Sequence, residues 1–208
     1  MSGDAASTSD VIGALMARVE MLEAREAIRD VMYRYARGAD RGDLELFKSC
    51  YWPDATDCHW FWNGNAHDFA DYVIPLLREI PNSQHSITNP IIEIDRDRAF
   101  AECQWYVLHH IDFGEGMAID QQCEGRYLDV FERRDGVWKI LHRQTALEAL
   151  REHVTPEYTR GYPPEHPARG LRAPNDAVYR GAAIAHDPVV PVPVADFWGA
   201  VRARHAGT

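Results

Sequence analysis

Three short segments carry the residue types of acid–base chemistry. Tyr33-Arg34-Tyr35-Ala36-Arg37-Gly38-Ala39-Asp40 closes a helical stretch with tyrosines and then an aspartate. His85 lies in Ser83-Gln84-His85-Ser86-Ile87-Thr88-Asn89, at the expected entrance to a sheet. Arg143 closes the expected last strand, in Trp138-Lys139-Ile140-Leu141-His142-Arg143. A carboxylate that holds one nitrogen of an imidazole leaves the other free as a base near neutral pH. A tyrosine hydroxyl and a guanidinium can stabilise an oxyanion as it develops. Taken singly, each residue has a plainer reading: Asp40 as a turn residue, His85 as a hydrogen-bonded strand-edge histidine, Arg143 as a solvated strand end. Spacing along the chain does not bring them together.

Other chemistries lack their signatures. The sequence has no GxGxxG, no phosphate loop and no GxSxG. Its 10 histidines include no HxH or HExxH, and the neighbours His109 and His110 would point to opposite faces of a strand. Cys50, Cys58, Cys103 and Cys123 form no CxxC pair and read as small buried hydrophobes, not as a zinc site or disulfide framework. No metal and no cofactor is therefore expected.

The elements that position these residues must come from a chain of 208 residues, 46% hydrophobic and 26% charged. That suits one globular domain with an appendage, able to bury roughly 70% of its unfolded surface. Against 32 Asp and Glu stand 22 Lys and Arg, a net charge of −10. This balance argues against a nucleic-acid groove or an anionic membrane surface, and favours a small neutral or weakly polar ligand. No apolar run approaches the roughly 20 residues of a membrane span. The first ten residues carry no secretory signal, so a cytoplasmic protein is expected.

The spacing of Ile12, Leu15, Met16, Val19, Leu22, Ile28, Val31, Met32, Tyr35 and Ala36 predicts a helix over 11–37, capped by Ser9 or Asp10 and ended by Gly38. A second, short helix is expected over 43–51, and a third over 69–80 despite Pro75. Strand character follows over 87–95, 98–110, 121–133 and 137–143, with turns at 95–97 and 134–136. In 98–110 both faces are largely apolar, which predicts cover on both sides. Helices before an antiparallel sheet indicate an α+β domain. It is placed at 11–147, between a flexible terminus at 1–10 and a proline-rich extension at 148–208. The extension holds a possible helix over 175–186 and is expected to pack on the domain or on a neighbouring subunit.

An ordered series of motifs resembles the SnoaL-like branch of the nuclear-transport-factor-two-like superfamily. The pieces are Tyr35-x4-Asp40-x2-Asp43, Tyr51-Trp52-Pro53-Asp54-Ala55, and His85 with Asn89. They continue with Gly125-x-Tyr127-x-Asp129-x-Phe131-Glu132-Arg133-Arg134 and Asp135-Gly136-x-Trp138-x-Ile140-x-x-Arg143. The resemblance covers about residues 10–145 and implies a cone-shaped α+β barrel. In it a strongly curved antiparallel sheet wraps an apolar pocket closed by helices. It further implies that Asp40 and His85 occupy the dyad positions of eliminating members, that Tyr35 assists, and that Arg143 faces the pocket. The dehydrochlorinase relatives carry lysine at the position of Tyr35, which counts against that chemistry. The Asp-Arg-Asp set of epoxide hydrolysis and a steroid-isomerase set are not evident. Members of this superfamily commonly assemble, so a homo-oligomer, dimer or trimer, is implied.

The aromatic residues bear on the substrate. A strand over 57–63 would put Trp60 and Trp62 on one face, and Trp105 and Tyr106 lie in the sheet. These are core residues on one reading and a flat slot for a phenolic, polycyclic or terpenoid compound on the other. His110, Gln104 and Asn89 are further candidates for polar contacts. His109 is an equal alternative to His110, because the inward face of that strand is open. The resulting expectation is a cofactor-independent lyase acting on a hydrophobic, hydroxylated aromatic molecule. Its step is loss of water, or retro-aldol loss of formaldehyde from a lignin-derived diaryl propanediol. A non-catalytic binding or oligomer-supporting member and an isomerase are the alternatives.

Overall fold

The computed structural model describes residues 7–114, 117–155 and 170–186. The chain divides into two compact units. The first holds all the helices and strands described next, together with Arg172–Pro174.

Helix α1 spans Thr8–Arg41. Ser7 caps it: its side chain accepts the Asp10 N–H while the Asp10 side chain accepts the Ser7 N–H, so two otherwise unpaired donors are satisfied. The expected stop at Gly38 is not used. A Cβ at Gly38 would lie 2.9 Å from the backbone nitrogen of Phe47, so this glycine admits the next helix and does not end the first. Gly42, left-handed at φ 64°, is the terminator. Asp40 consequently sits in the last turn of α1 and not beyond it. Ile28, Val31, Met32, Tyr35 and Ala39 are buried, whereas the stripe from Val11 to Leu22 is exposed. Helix α2 (Leu44–Ser49) starts at Asp43, whose carboxylate accepts the Leu46 N–H. Helix α3 (Ala66–Glu79) contains Pro75 and still buries Phe69, Ala70, Ile74 and Leu77.

Six strands form one curved, unclosed sheet: β1 (Tyr51–His59), β2 (Trp62–Asn65), β3 (Asn82–Asp95), β4 (Arg98–Asp112), β5 (Ala118–Arg134) and β6 (Val137–Val154). Their order is β2-β1-β6-β5-β4-β3, antiparallel throughout except for the parallel pair β1 and β6. Register shifts between Thr88 and Ile91, between Glu124 and Gly125 and between Val130 and Phe131 bend the strands. Gly125 is required at its bend, because a Cβ there would meet the Ala146 carbonyl oxygen at 2.0 Å and the Trp105 ring at 2.8 Å.

Several sequence expectations are corrected here. Residues 57–63 are not one strand: the chain reverses at Trp60-Phe61 with His59 opposite Trp62, so Trp60 and Trp62 do not share a face. β3 begins at Asn82, which puts His85 inside the strand and not at its entrance. β6 runs on to Val154, so Arg143 is a mid-strand residue and the boundary expected at 147/148 falls within the sheet. The run Ala146 to Glu152 is rich in helix formers, and pairing with β5 overrides that local preference. On β4, Ala99, Ala101, Cys103, Trp105 and Val107 are buried while Phe100 and Tyr106 are exposed, so among the described residues one face of the strand is left uncovered. Among the described residues no helix is long and apolar enough to cross a membrane.

Within the second unit, Ala177–His186 forms tight 3-10 turns broken at Gly181 (φ 52°, ψ −133°), where a helix over 175–186 was expected. The Asp176 carboxylate accepts the Leu171 and Val178 N–H groups. Most of the proline-rich extension, and its expected packing, lies outside the described residues.

Candidate functional site

A cavity of about 340 Å³ opens between the buried face of the sheet and the helices. Tyr35, Phe47, Phe69, Leu77, Trp105, Val107 and Tyr127 make most of its wall apolar. Trp60 and Phe61, at the β1–β2 turn, line the cavity while remaining 57% and 47% exposed, so they stand at its mouth.

His85 enters this cavity from β3. Its Nδ1 lies 2.7 Å from Oδ1 of Asp40. The same carboxylate accepts the His85 backbone N–H at 2.9 and 3.0 Å and the Ser83 hydroxyl at 3.3 Å. Both side chains are nearly buried. A carboxylate partner requires the proton on Nδ1, which leaves the Nε2 lone pair for chemistry. Placing a negative group on the last turn of α1 opposes the helix dipole. The Arg172 guanidinium counters this by donating to the Asp40 and Ile80 backbone carbonyls. No periodicity or motif pointed to Arg172.

His109, one residue along from the candidate His110, is the β4 histidine that lines the cavity. Its ring stands edge-on to His85 at 5.9 Å. Burial, reinforced by His85 nearby, pushes its pKa down to about 4 despite a hydrogen bond with Gln121. It is a neutral imidazole near pH 7. Its Nε2 is buried and, among the described residues, without a partner, as are Trp105 Nε1 and Thr145 Oγ1 on the same wall. Three orphaned polar atoms on an apolar wall are the feature a ligand would satisfy.

The other expected residues divide clearly. Tyr35, Trp60 and Trp105 line the cavity with His85. Arg143 does not: it is fully buried, forks onto Asp129 with two 2.7 Å bonds, and is clamped between the rings of Tyr35 (4.0 Å) and Tyr127 (3.9 Å). Being in mid-strand, it turns into the core behind the cavity wall. Burial raises the pKa of Tyr35 and keeps its hydroxyl protonated, against the pull of Arg143. Trp62 stacks on Tyr72 outside the cavity lining, with ring centroids 5.6 Å apart. His110 is occupied with Asp120 at 2.6 Å. Tyr106 and Gln104 lie on the opposite face of β4, where Gln104 accepts a bond from Asn89 at 2.9 Å. None of Trp62, Tyr106, His110, Gln104 and Asn89 lines the cavity.

His59 and Asp57 were missed. His59 lines the cavity, its ring stacked on Phe69 at 4.5 Å, and its Nδ1 pairs with the fully buried Asp57. Their spacing of two along a strand, which places both on one face, was the available signal. Among the described residues no group of three or more His, Cys, Asp or Glu could hold a metal ion.

Comparison with known proteins gives the family and the fold. The family model described as a SnoaL-like domain matches residues 20–144. A structure described as a putative scytalone dehydratase from Novosphingobium aromaticivorans is 17% identical, with a TM-score of 0.58 over 69% of this chain and 93% of that one. A hexachlorocyclohexane dehydrochlorinase of the LinA-type3 class from Novosphingobium barchaimii is 23% identical, with a TM-score of 0.56 over 65% and 94%. A nuclear-transport-factor-two-like protein with a cystatin-like fold, also from Novosphingobium aromaticivorans, is 24% identical, with a TM-score of 0.53 over 64% and 87%. No curated protein sequence matches. These structural likenesses establish the fold, a cone of the nuclear-transport-factor-two-like type.

Proposed function

The chain belongs to the SnoaL-like family, and from that premise we propose that it is a lyase that needs no cofactor and acts on a hydrophobic, hydroxylated aromatic molecule. The observation that carries this reading is the 2.7 Å bond between Asp40 and His85 at the wall of an apolar cavity. Two of the similar structures bear the names of a dehydratase and a dehydrochlorinase, both eliminating enzymes.

In this reading His85 Nε2 takes a proton from the substrate, and Asp40 stabilises the imidazolium that forms. Tyr35, held protonated by burial, donates to the oxygen on which charge develops. Arg143 is a positioning residue, which fixes the Tyr35 ring from behind and lends it positive potential. Trp60 and Trp105 supply flat apolar surface. Proton removal from carbon beside a leaving hydroxyl gives dehydration. Removal from a hydroxyl turns that O–H pair into the C=O of formaldehyde and breaks the C–C bond of a lignin-derived diaryl propanediol, and the carbon that keeps the C–C pair takes the proton back from His85.

Incubation with a panel of hydroxylated aryl compounds, read by mass spectrometry, tests this and separates loss of water from loss of formaldehyde. Turnover by the parent protein, abolished in His85→Gln, is expected. Undiminished turnover in that variant, or conversion of no compound in the panel, overturns the assignment and leaves a ligand-binding module.

A further inference from the structure

Among the described residues, Asp40–His85 is one of two carboxylate–imidazole pairs at this cavity. The other comes from β1. Asp57, with no exposed surface, accepts the Tyr51 hydroxyl at 2.5 Å through Oδ2 and pairs through Oδ1 with His59 Nδ1. The His59 side chain is only 8% exposed, and its ring lies nearly parallel to Phe69. With Nδ1 committed to Asp57, Nε2 is the nitrogen left for a ligand, and among the described residues nothing hydrogen-bonds it. The pair thus repeats the arrangement of Asp40–His85: a carboxylate outside the cavity lining, an imidazole in it. Burying a carboxylate and an imidazole is a poor way merely to fill space. Apolar residues of similar volume do so without a desolvation cost.

We propose that Asp57–His59 is a second acid–base pair of this cavity, which protonates the oxygen that leaves as His85 removes a proton. The inference rests on the reading of Asp40–His85 as the base. In a dehydration, His85 Nε2 takes the C–H proton and that bonding pair becomes the C=C π bond. The C–O pair departs with oxygen. The doubly protonated His59 ring, held against the Asp57 carboxylate, gives its Nε2 proton to that oxygen, and water is released. His59 ends neutral and His85 protonated, and exchange with solvent restores both. Tyr51 is a positioning residue whose hydroxyl fixes the Asp57 carboxylate.

Histidine-ring nitrogen NMR on the full chain tests the pair without knowledge of the substrate. The probes are naphthol and a dihydroxynaphthalene with one hydroxyl on each ring. Both His59 Nε2 and His85 Nε2 are expected to shift with the second probe. That probe is expected to bind about tenfold tighter than naphthol, the worth of one bond to an ionisable group. In His59→Gln, which retains a donor for Asp57, the gain disappears and the His85 shift remains. On a substrate found in the panel, replacing the leaving hydroxyl by acetate, which needs no proton, restores kcat to His59→Gln but not to His85→Gln. A His59 nitrogen silent to both probes, or a gain that survives the substitution, overturns the proposal and leaves Asp40–His85 standing. Silence at His85 as well removes the base assignment with it. Should His59→Gln not fold, the parent protein's ring nitrogens decide alone.

Discussion

Oδ1 of Asp40 accepts both the ring Nδ1–H and the backbone N–H of His85, so one carboxylate fixes the tautomer of the imidazole and the strand that carries it. Asp40→Asn separates these roles. The amide oxygen can still accept the backbone N–H, while the charge that supports an imidazolium is gone. The expected outcome is a fold retained by circular dichroism and a kcat lowered by about 10²–10⁴-fold, the range of general acid–base assistance. Loss of folding in place of loss of turnover would show that the carboxylate serves the helix end and not the imidazole.

The Arg143–Asp129 pair makes a prediction about stability. Both side chains are fully buried, and each is the other's principal partner. Removing one leaves a buried charge uncompensated, which costs about 3–5 kcal/mol. Asp129→Leu should therefore lower the urea midpoint sharply. The double substitution Asp129→Leu with Arg143→Leu should recover much of the loss, since no lone charge then remains. Arg143→Lys will not substitute, because an ammonium cannot fork onto the carboxylate or lie flat between Tyr35 and Tyr127. Equal midpoints for the single and double variants would refute this account.

The mouth of the cavity offers a kinetic counterpart. Trp60 lines the opening but is 57% exposed and distant in role from the proton-carrying groups. Trp60→Ala should raise KM several-fold with kcat little changed, the pattern of binding energy lost equally from ground and transition states. A fall in kcat with KM unchanged would place Trp60 at the reacting atoms instead.

The sequence made the order of the helices and of β3 to β6 legible because the helix periodicity of α1, the runs of strand character and the turns at 95–97 and 134–136 are local signals. It also made Asp40, His85 and Tyr35 legible, through the resemblance of an ordered motif series. What escaped depends on contacts between distant segments. Gly38 reads as a helix stop until Phe47 is found against it. The helix formers after Arg143 conceal that β6 continues, because its pairing with β5 is non-local. Arg143 reads as a strand end, solvated on its own and facing the pocket by the resemblance, whereas β6 runs on past it and its partner Asp129 lies on the neighbouring strand. His59 sits among aromatic neighbours and outside the motif series, and its only signal is Asp57 two residues before it on the same strand face.

Buried tyrosines and thiols set the alkaline limit of stability. Burial raises the pKa values of Tyr35, Tyr51 and Tyr127 above 10.0, and pushes Cys50 up to about 11 and Cys103 to about 12 from 9.0. A group held protonated in the folded chain contributes stability fully below its unfolded pKa, and that contribution falls once the unfolded chain can ionise. Stability should decline as pH rises beyond 9, and more steeply beyond 10. Three tyrosines then add a slope of about 4 kcal/mol per pH unit. Urea midpoints measured across this range check it. A flat profile would mean that these hydroxyls and thiols ionise as freely in the folded chain as in the unfolded one.

His109 sets an acid limb of the opposite origin. Its pKa falls from 6.5 to about 4, chiefly through burial, with His85 adding repulsion. Below pH 6.5 the unfolded chain binds a proton at this imidazole and the folded chain does not, so stability is lost as pH falls and the loss levels off near pH 4. The full effect is on the order of 3 kcal/mol, from the free energy of a pKa shift of this size. His109→Gln, which cannot titrate and keeps a partner for Gln121, should flatten this limb. A ligand whose hydroxyl donates to the unpartnered Nε2 holds the ring neutral, and should deepen the limb by adding stability only where His109 is unprotonated. Stability profiles between about pH 4 and 7, with and without naphthol, distinguish the cases. An acid limb unchanged in His109→Gln would assign the loss to the carboxylates.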